Sequence, residues 1–150
     1  MQADCRNIYQ AARKVAGLTQ EKAAEMIGIS VRSLADYETG VRIPSNATVE
    51  LMVMVYNSQL LATQHLRNSA EFARDLLPAV EAMRLPEAVL TLVDAIYDFA
   101  DDKLDRELID IARDGVISED ERPQFEKIIT KIKDIITAAM AVSCARTKEG

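Results

Sequence analysis

Apolar residues recur along this chain with the three-to-four spacing of helices nearly everywhere, and no two-residue hairpin signal interrupts them. A first helix is expected from about Asp4 to Ala16, with Ile8, Ala11, Ala12 and Val15 on its inner stripe and Gly17 as its stop. Thr19 caps a second helix (TQEKAAEMIG) that Gly28 closes. Ser30 caps a third (SVRSLADYETG), closed by Gly40. VELMVMVY, residues 49–56, has the β-branched run of a buried strand, but Pro44 and Ser45 before it and Glu50 in a first turn predict a helix. A further helix is expected from Ser58 to Leu77, broken at Pro78.

Past Pro86 the pattern lengthens. Leu85, Val89, Leu92, Ile96 and Phe99 follow a 4-3-4-3 spacing, and the stripe then shifts by one through Leu104, Leu108 and Ile111. Gly115 stops this helix, and Ser118 with Glu121 reads as a capping box for the next. Phe125, Ile128, Ile129, Ile132, Ile135 and Ile136 give the last helix an apolar face too wide for one neighbour. Two long amphipathic helices joined by a short turn predict an antiparallel hairpin. The surplus isoleucines need another partner, either the helix around Leu60–Leu77 or a second copy of the chain, which is the pairing expected.

Composition narrows the class without naming it. Half of the 150 residues are apolar (49%) and 28% are charged, enough for a real core. No apolar run reaches the ~20 residues of a membrane span, and the opening MQADCRNIYQ lacks the order of a signal peptide. Cys5 and Cys144 stand near opposite ends with His65 as the one histidine, so neither a disulfide framework nor a zinc site is expected. A cytoplasmic protein with reduced thiols is the expectation. The net charge of −6 is unevenly placed: residues 1–68 sum to +1 and residues 69–150 to −7. Two parts with different work are expected, divided at 68/69. A globally acidic chain does not coat nucleic acid nonspecifically, but a near-neutral segment can carry a basic face.

Residues 18–40 hold the sharpest signal. A helix-turn-helix needs small residues where its helices touch, glycine in the turn, and apolar residues holding the second helix on the first. Ala24 supplies the contact and Gly28 the turn, while Ala23, Ile27, Ile29, Leu34 and Tyr37 face inward. Val31, Arg32, Ser33 and Asp36 are left outward, on the face that can enter a major groove.

RKVAGLTQEKAAEMIGISVRSLADYETGVRIPS resembles the lambda-repressor-like helix-turn-helix family, the XRE family of transcriptional regulators. The resemblance rests on R-x-x-x-G-L-T-Q (Arg13 to Gln20), A-x-x-x-G (Ala24 to Gly28) and Y-E-x-G-x-R-x-P-S (Tyr37 to Ser45), in the family's order and spacing. It covers roughly residues 8–62 and implies a five-helix DNA-binding domain, with 49–56 as the fourth helix. It also implies residue roles. Val31, Arg32, Ser33 and Asp36 would reach base edges from the helix that begins at Ser30: Arg32 a guanine, Val31 a thymine methyl, Asp36 a cytosine N4. Gln20, Lys22, Thr39 and Arg42 would meet the DNA backbone, with Gln20 also bracing the base-reading side chains. Arg13 and Glu38 resemble a family ion pair tying the first helix to the end of the third. An acidic Asp36 near phosphates costs affinity unless a cytosine offsets it.

The remaining candidates read as structure. DIARDGVISEDE partly resembles a calcium loop, but its third ligand position is Ala112, and helix stop-and-start chemistry already explains Gly115, Ser118 and Glu121. Asp94, Asp98, Asp101, Asp102 and Asp105 line one helical face, expected to be solvated and partly neutralised by Lys127 and Lys131. No catalytic set, metal site or cofactor motif is visible, so an enzyme is not expected. The expected fold is all-α, a five-helix DNA-binding domain followed by a C-terminal helical hairpin or bundle. The expected function is a dimeric repressor binding a palindromic operator in double-stranded DNA. The alternative is a protein-interaction adaptor, or an antitoxin-like partner-binding protein, with secondary DNA contact.

Overall fold

The computed structural model describes residues 5–147, with side chains from Ile8 onward. Asp4, expected to open the first helix, and the Cys5 thiol lie outside the described residues. The chain is all-α and divides into two compact units, Met1–Ala79 and Val80–Gly150. The division falls at 79/80 rather than at the expected 68/69, because a short sixth helix packs on the fifth and belongs to the first unit.

The first unit contains α1 (Cys5–Val15), α2 (Gln20–Ile27), α3 (Val31–Thr39), α4 (Asn46–Tyr56), α5 (Gln59–Ser69) and α6 (Glu71–Leu76). Four helices start on a hydroxyl that accepts a backbone N–H from three residues on: Thr19 from Lys22, Ser30 from Ser33, Ser45 from Thr48 and Ser58 from Leu61. Ser45 thereby settles 49–56 as helix. Ala23, Ala24, Leu34, Met52, Tyr56 and Leu61 form the innermost core, each at most 1% exposed. Two adjacent alanines let the backbone of α2 lie close to its neighbours.

Two expectations change here. The inner face of α1 runs through Tyr9, Ala12 and Arg13, while Ala11 and Val15 are exposed. Apolar periodicity overlooks an inward arginine and so rotates the helix by part of a turn. The helix expected from Ser58 to Leu77 is two helices, parted at an extended Ala70 (φ −152°, ψ 149°). Ser69 donates its hydroxyl to the carbonyl of Leu66 at 2.7 Å, local bonding that competes with helix continuation.

The second unit contains α7 (Leu85–Asp101), α8 (Leu104–Ile111), a 3₁₀ turn (Ala112–Asp114) and α9 (Arg122–Cys144). α7 packs along α9, and α8 touches both. Leu104, Ile111 and Ile128 are buried, with Phe99, Leu108, Ile117, Phe125 and Ile132 packed around them. The single helix expected up to Gly115 is broken at Lys103, which has a positive φ of 58°. The one-residue shift of the apolar stripe at Leu104 marks that break, so that of the expected hairpin or bundle the unit is a three-helix bundle. Ser118 and Glu121 bond reciprocally, each backbone N–H donating to the other side chain.

Isoleucines on α9 prove less available than expected. Ile128 is fully buried, Phe125 and Ile132 pack into the core, and Ile136 remains exposed. The wider open apolar surface is on α7, where Val89, Leu90, Val93, Ile96 and Tyr97 are all exposed. The five aspartates Asp94, Asp98, Asp101, Asp102 and Asp105 are exposed as well, and among the described residues no ion pair joins them to Lys127 or Lys131.

Candidate nucleic-acid interface

The connection from α2 to α3 is closed by one carbonyl. The oxygen of Ala24 accepts from the N–H of Gly28 at 2.9 Å and from that of Ile29 at 3.0 Å. Gly28 stands at φ +82°, and a Cβ there would meet nothing within 4 Å. Glycine is thus required by backbone conformation rather than by space, and alanine in its place costs about 1 kcal/mol.

α3 is anchored from behind and open in front. Leu34 is wholly buried, and Tyr37 packs against the same core. Val31 and Arg32 are exposed, while Ser33 and Asp36 are half-buried. The four expected base-reading residues therefore lie on the side of α3 away from the core. The hydroxyl of Ser30 caps Ser33 and also donates to its Oγ at 2.9 Å, which fixes the first turn.

The rear anchor is ionic. Arg13 donates from Nε to Glu38 Oε1 at 2.5 Å and from Nη2 to Oε2 at 2.9 Å, while its Nη1 donates to the carbonyl of Leu18 at 2.8 Å. Gln20 is turned to the same carboxylate, its amide donating to Oε2 at 2.8 Å. Arg13 and Glu38 are 7% and 4% exposed, so each is buried and held by its partner. Burial by itself pushes the Glu38 carboxyl up. The bonds from Arg13, Gln20 and Gln10, with the Arg13 charge, outweigh burial and hold its pKa below the ordinary value. Its bond to Glu38 in turn raises the pKa of Arg13.

The other expected backbone contacts lie in α2, at the end of α3 and in the loop after it. Lys22 is exposed and pairs with Glu25 at 3.0 Å. Thr39 is exposed, its hydroxyl donating back to the carbonyl of Ala35 at 2.8 Å, a bond it must release to donate elsewhere. Arg42 is half-exposed, and its side chain lies back along α3. Its Nη2 donates to Ser33 Oγ at 3.1 Å, its Nε is 3.6 Å from Asp36 Oδ2, and its guanidinium lies 5.4 Å from the centre of the Tyr37 ring. The trace of that arrangement in the sequence is an acid and a base, Asp36 and Arg42, six residues apart across the Gly40 turn. Val41 and Ile43, on either side of Arg42, are more than 70% exposed.

A helix pair joined by a glycine turn, the second helix presenting a polar front, occupies the stretch that matches the helix-turn-helix family model, residues 10–61. Residues 10–61 form a lambda-repressor-like helix-turn-helix domain. This is a DNA-binding regulatory module of the XRE type, and α2 and α3 are its helix-turn-helix. No curated protein and no solved structure matches the chain.

Outside that domain, the side chains of the stretch that partly resembles a calcium loop serve the turn itself. Asp110 pairs with Arg113, Asp114 accepts the N–H of Val116, and Glu121 accepts from Ser118. Among the described residues no group of three or more His, Cys, Asp or Glu is placed to hold a metal ion, and no helix is long and apolar enough to cross a membrane.

Proposed function

We propose that the protein is a dimeric repressor that binds a palindromic operator and reads the major groove with α3. The observation that carries this reading is the front of α3: Val31, Arg32, Ser33 and Asp36 lie opposite the buried Leu34 and Glu38. Arg32 suits a guanine edge, Val31 a thymine methyl and Asp36 a cytosine amino group. Lys22 and Thr39 are exposed and suit the phosphates that position a recognition helix, while Gln20, bonded to Glu38, would brace α3 where it meets the DNA backbone.

Pairing is assigned to the second unit. Val89, Leu90, Val93, Ile96 and Tyr97 leave α7 with an apolar stripe open beside the face that α9 already covers. A second copy seated there would give a two-fold assembly, the symmetry of an operator whose two half-sites lie about 34 Å apart. The exposed aspartates of α7 support the other reading, an adaptor whose C-terminal unit docks a basic partner protein while DNA contact is secondary.

Selection of bound sequences from a random duplex pool by the full chain separates the two. A repressor enriches one inverted repeat. An adaptor enriches none.

A further inference from the structure

The geometry points to Arg42 as a residue that sets base specificity rather than one that holds a phosphate. This inference rests on the reading of α3 as the base-reading helix and assigns one more residue to it.

Four contacts converge on Arg42. Its backbone N–H donates to the carbonyl of Asp36 at 3.2 Å, which brings the loop after Gly40 back alongside α3. Its side chain then lies along the helix front: Nη2 on Ser33 Oγ at 3.1 Å, Nε at 3.6 Å from Asp36 Oδ2, and the guanidinium 5.4 Å from the Tyr37 ring centre. Ser33 and Asp36 are two of the four residues on the outward side of α3. Arg42 is half-exposed there, reachable by DNA yet already engaged with both.

A planar guanidinium can hold two acceptors at once, and an ammonium cannot reproduce that fork. Arg42 thus fixes the Asp36 carboxylate and the Ser33 hydroxyl in one arrangement. It also offsets the negative charge that Asp36 would otherwise bring towards phosphates. A carboxylate accepts from cytosine N4, and its aim decides how well it rejects the other bases. Arg42 is therefore a positioning residue: it acts on base choice through Asp36 and Ser33.

A phosphate contact and a positioning residue respond differently to lysine. Lysine keeps the charge and can still meet a phosphate, so a phosphate contact survives Arg42→Lys with its base preferences intact. The test is selection from a random duplex pool with the full-length wild type, Arg42→Lys and Asp36→Asn, followed by affinity for the selected duplex at several salt concentrations. We expect Arg42→Lys to keep the salt dependence and to lose about ten-fold or more of the discrimination at one base pair per half-site. Asp36→Asn should alter that same base pair. Unchanged base preference in Arg42→Lys overturns the assignment, as does a change at a base pair that Asp36→Asn leaves alone. Failure of the wild type to enrich any sequence removes the base-reading role of α3 itself, and this assignment with it.

Discussion

Arg13 on α1 holds both carboxylate oxygens of Glu38 on α3, at 2.5 and 2.9 Å, with neither residue open to solvent. Gln20 on α2 shares one of those oxygens, so one carboxylate joins the first three helices from behind. A buried charge left alone is worse than none. Arg13→Ala or Glu38→Ala should each cost ~3–5 kcal/mol of unfolding free energy, and the double variant less than the two together. Denaturant unfolding of the four proteins checks this. Simple additivity would show that the pair is not coupled.

The pH dependence of stability follows from two groups. His65, the one histidine of the sequence, is buried between Tyr9 and Asn46, at 2.8 and 2.9 Å. Burial pushes its pKa below 6.5. The unfolded chain therefore takes up the proton first, and stability declines as pH falls through 6.5 towards the folded value. Glu38, held below 4.5, contributes stability above that pH and loses it lower down, as pH falls through its own folded pKa. Unfolding measured from about pH 8 to pH 5 should show a decline below 6.5 in the wild type that is missing in His65→Gln. Parallel profiles would contradict it.

Arg32 and Lys22 are both exposed but stand in different places, one opening α3 and the other in the first turn of α2. Arg32→Ala should weaken binding to the selected duplex by ~1–3 kcal/mol and relax base preference at one position. Lys22→Ala should weaken all duplexes alike and lower the salt slope by about one charge. Titrations against selected and scrambled duplexes at several salt concentrations distinguish these roles. Identical behaviour of the two variants would remove the distinction.

Val93 lies within the exposed apolar stripe of α7 and is 38% exposed. Aspartate there should part a dimer without disturbing the core formed by Leu104, Ile111 and Ile128. The full-length wild type should sediment as a dimer at micromolar concentration and Val93→Asp as a monomer, with equal helicity by circular dichroism. A monomeric wild type would contradict pairing altogether, and a Val93→Asp variant that stays dimeric would place the pairing surface elsewhere.

Helix starts and stops are legible in this sequence because they are local. Thr19, Ser30 and Ser45 bond within their own turns, and Gly28 and Gly40 adopt the positive φ that ends a helix. Long-range choices are less visible. Arg13 faces inward to meet Glu38, which no count of apolar positions shows and which the family resemblance alone suggests. The α5–α6 break falls at Ala70, a good helix former, with nothing but Asn68 and Ser69 as warning. Lys103 parts α7 from α8 with a left-handed backbone, and the sole trace is a stripe displaced by one residue. The front of α3 follows from its rear, since Leu34 and Glu38 leave one side open. The direction of Arg42 does not, because a loop side chain has no periodicity to set it.

Base methylation interference on the selected duplex tests most directly whether α3 enters the major groove. Guanine N7 lies in that groove and adenine N3 in the minor one. Methylation of N7 at guanines within each half-site should block binding by the full-length protein, and Arg32→Ala should lose sensitivity at one of them. Binding that tolerates N7 methylation throughout, but is blocked by methylation at adenine N3, would contradict the account.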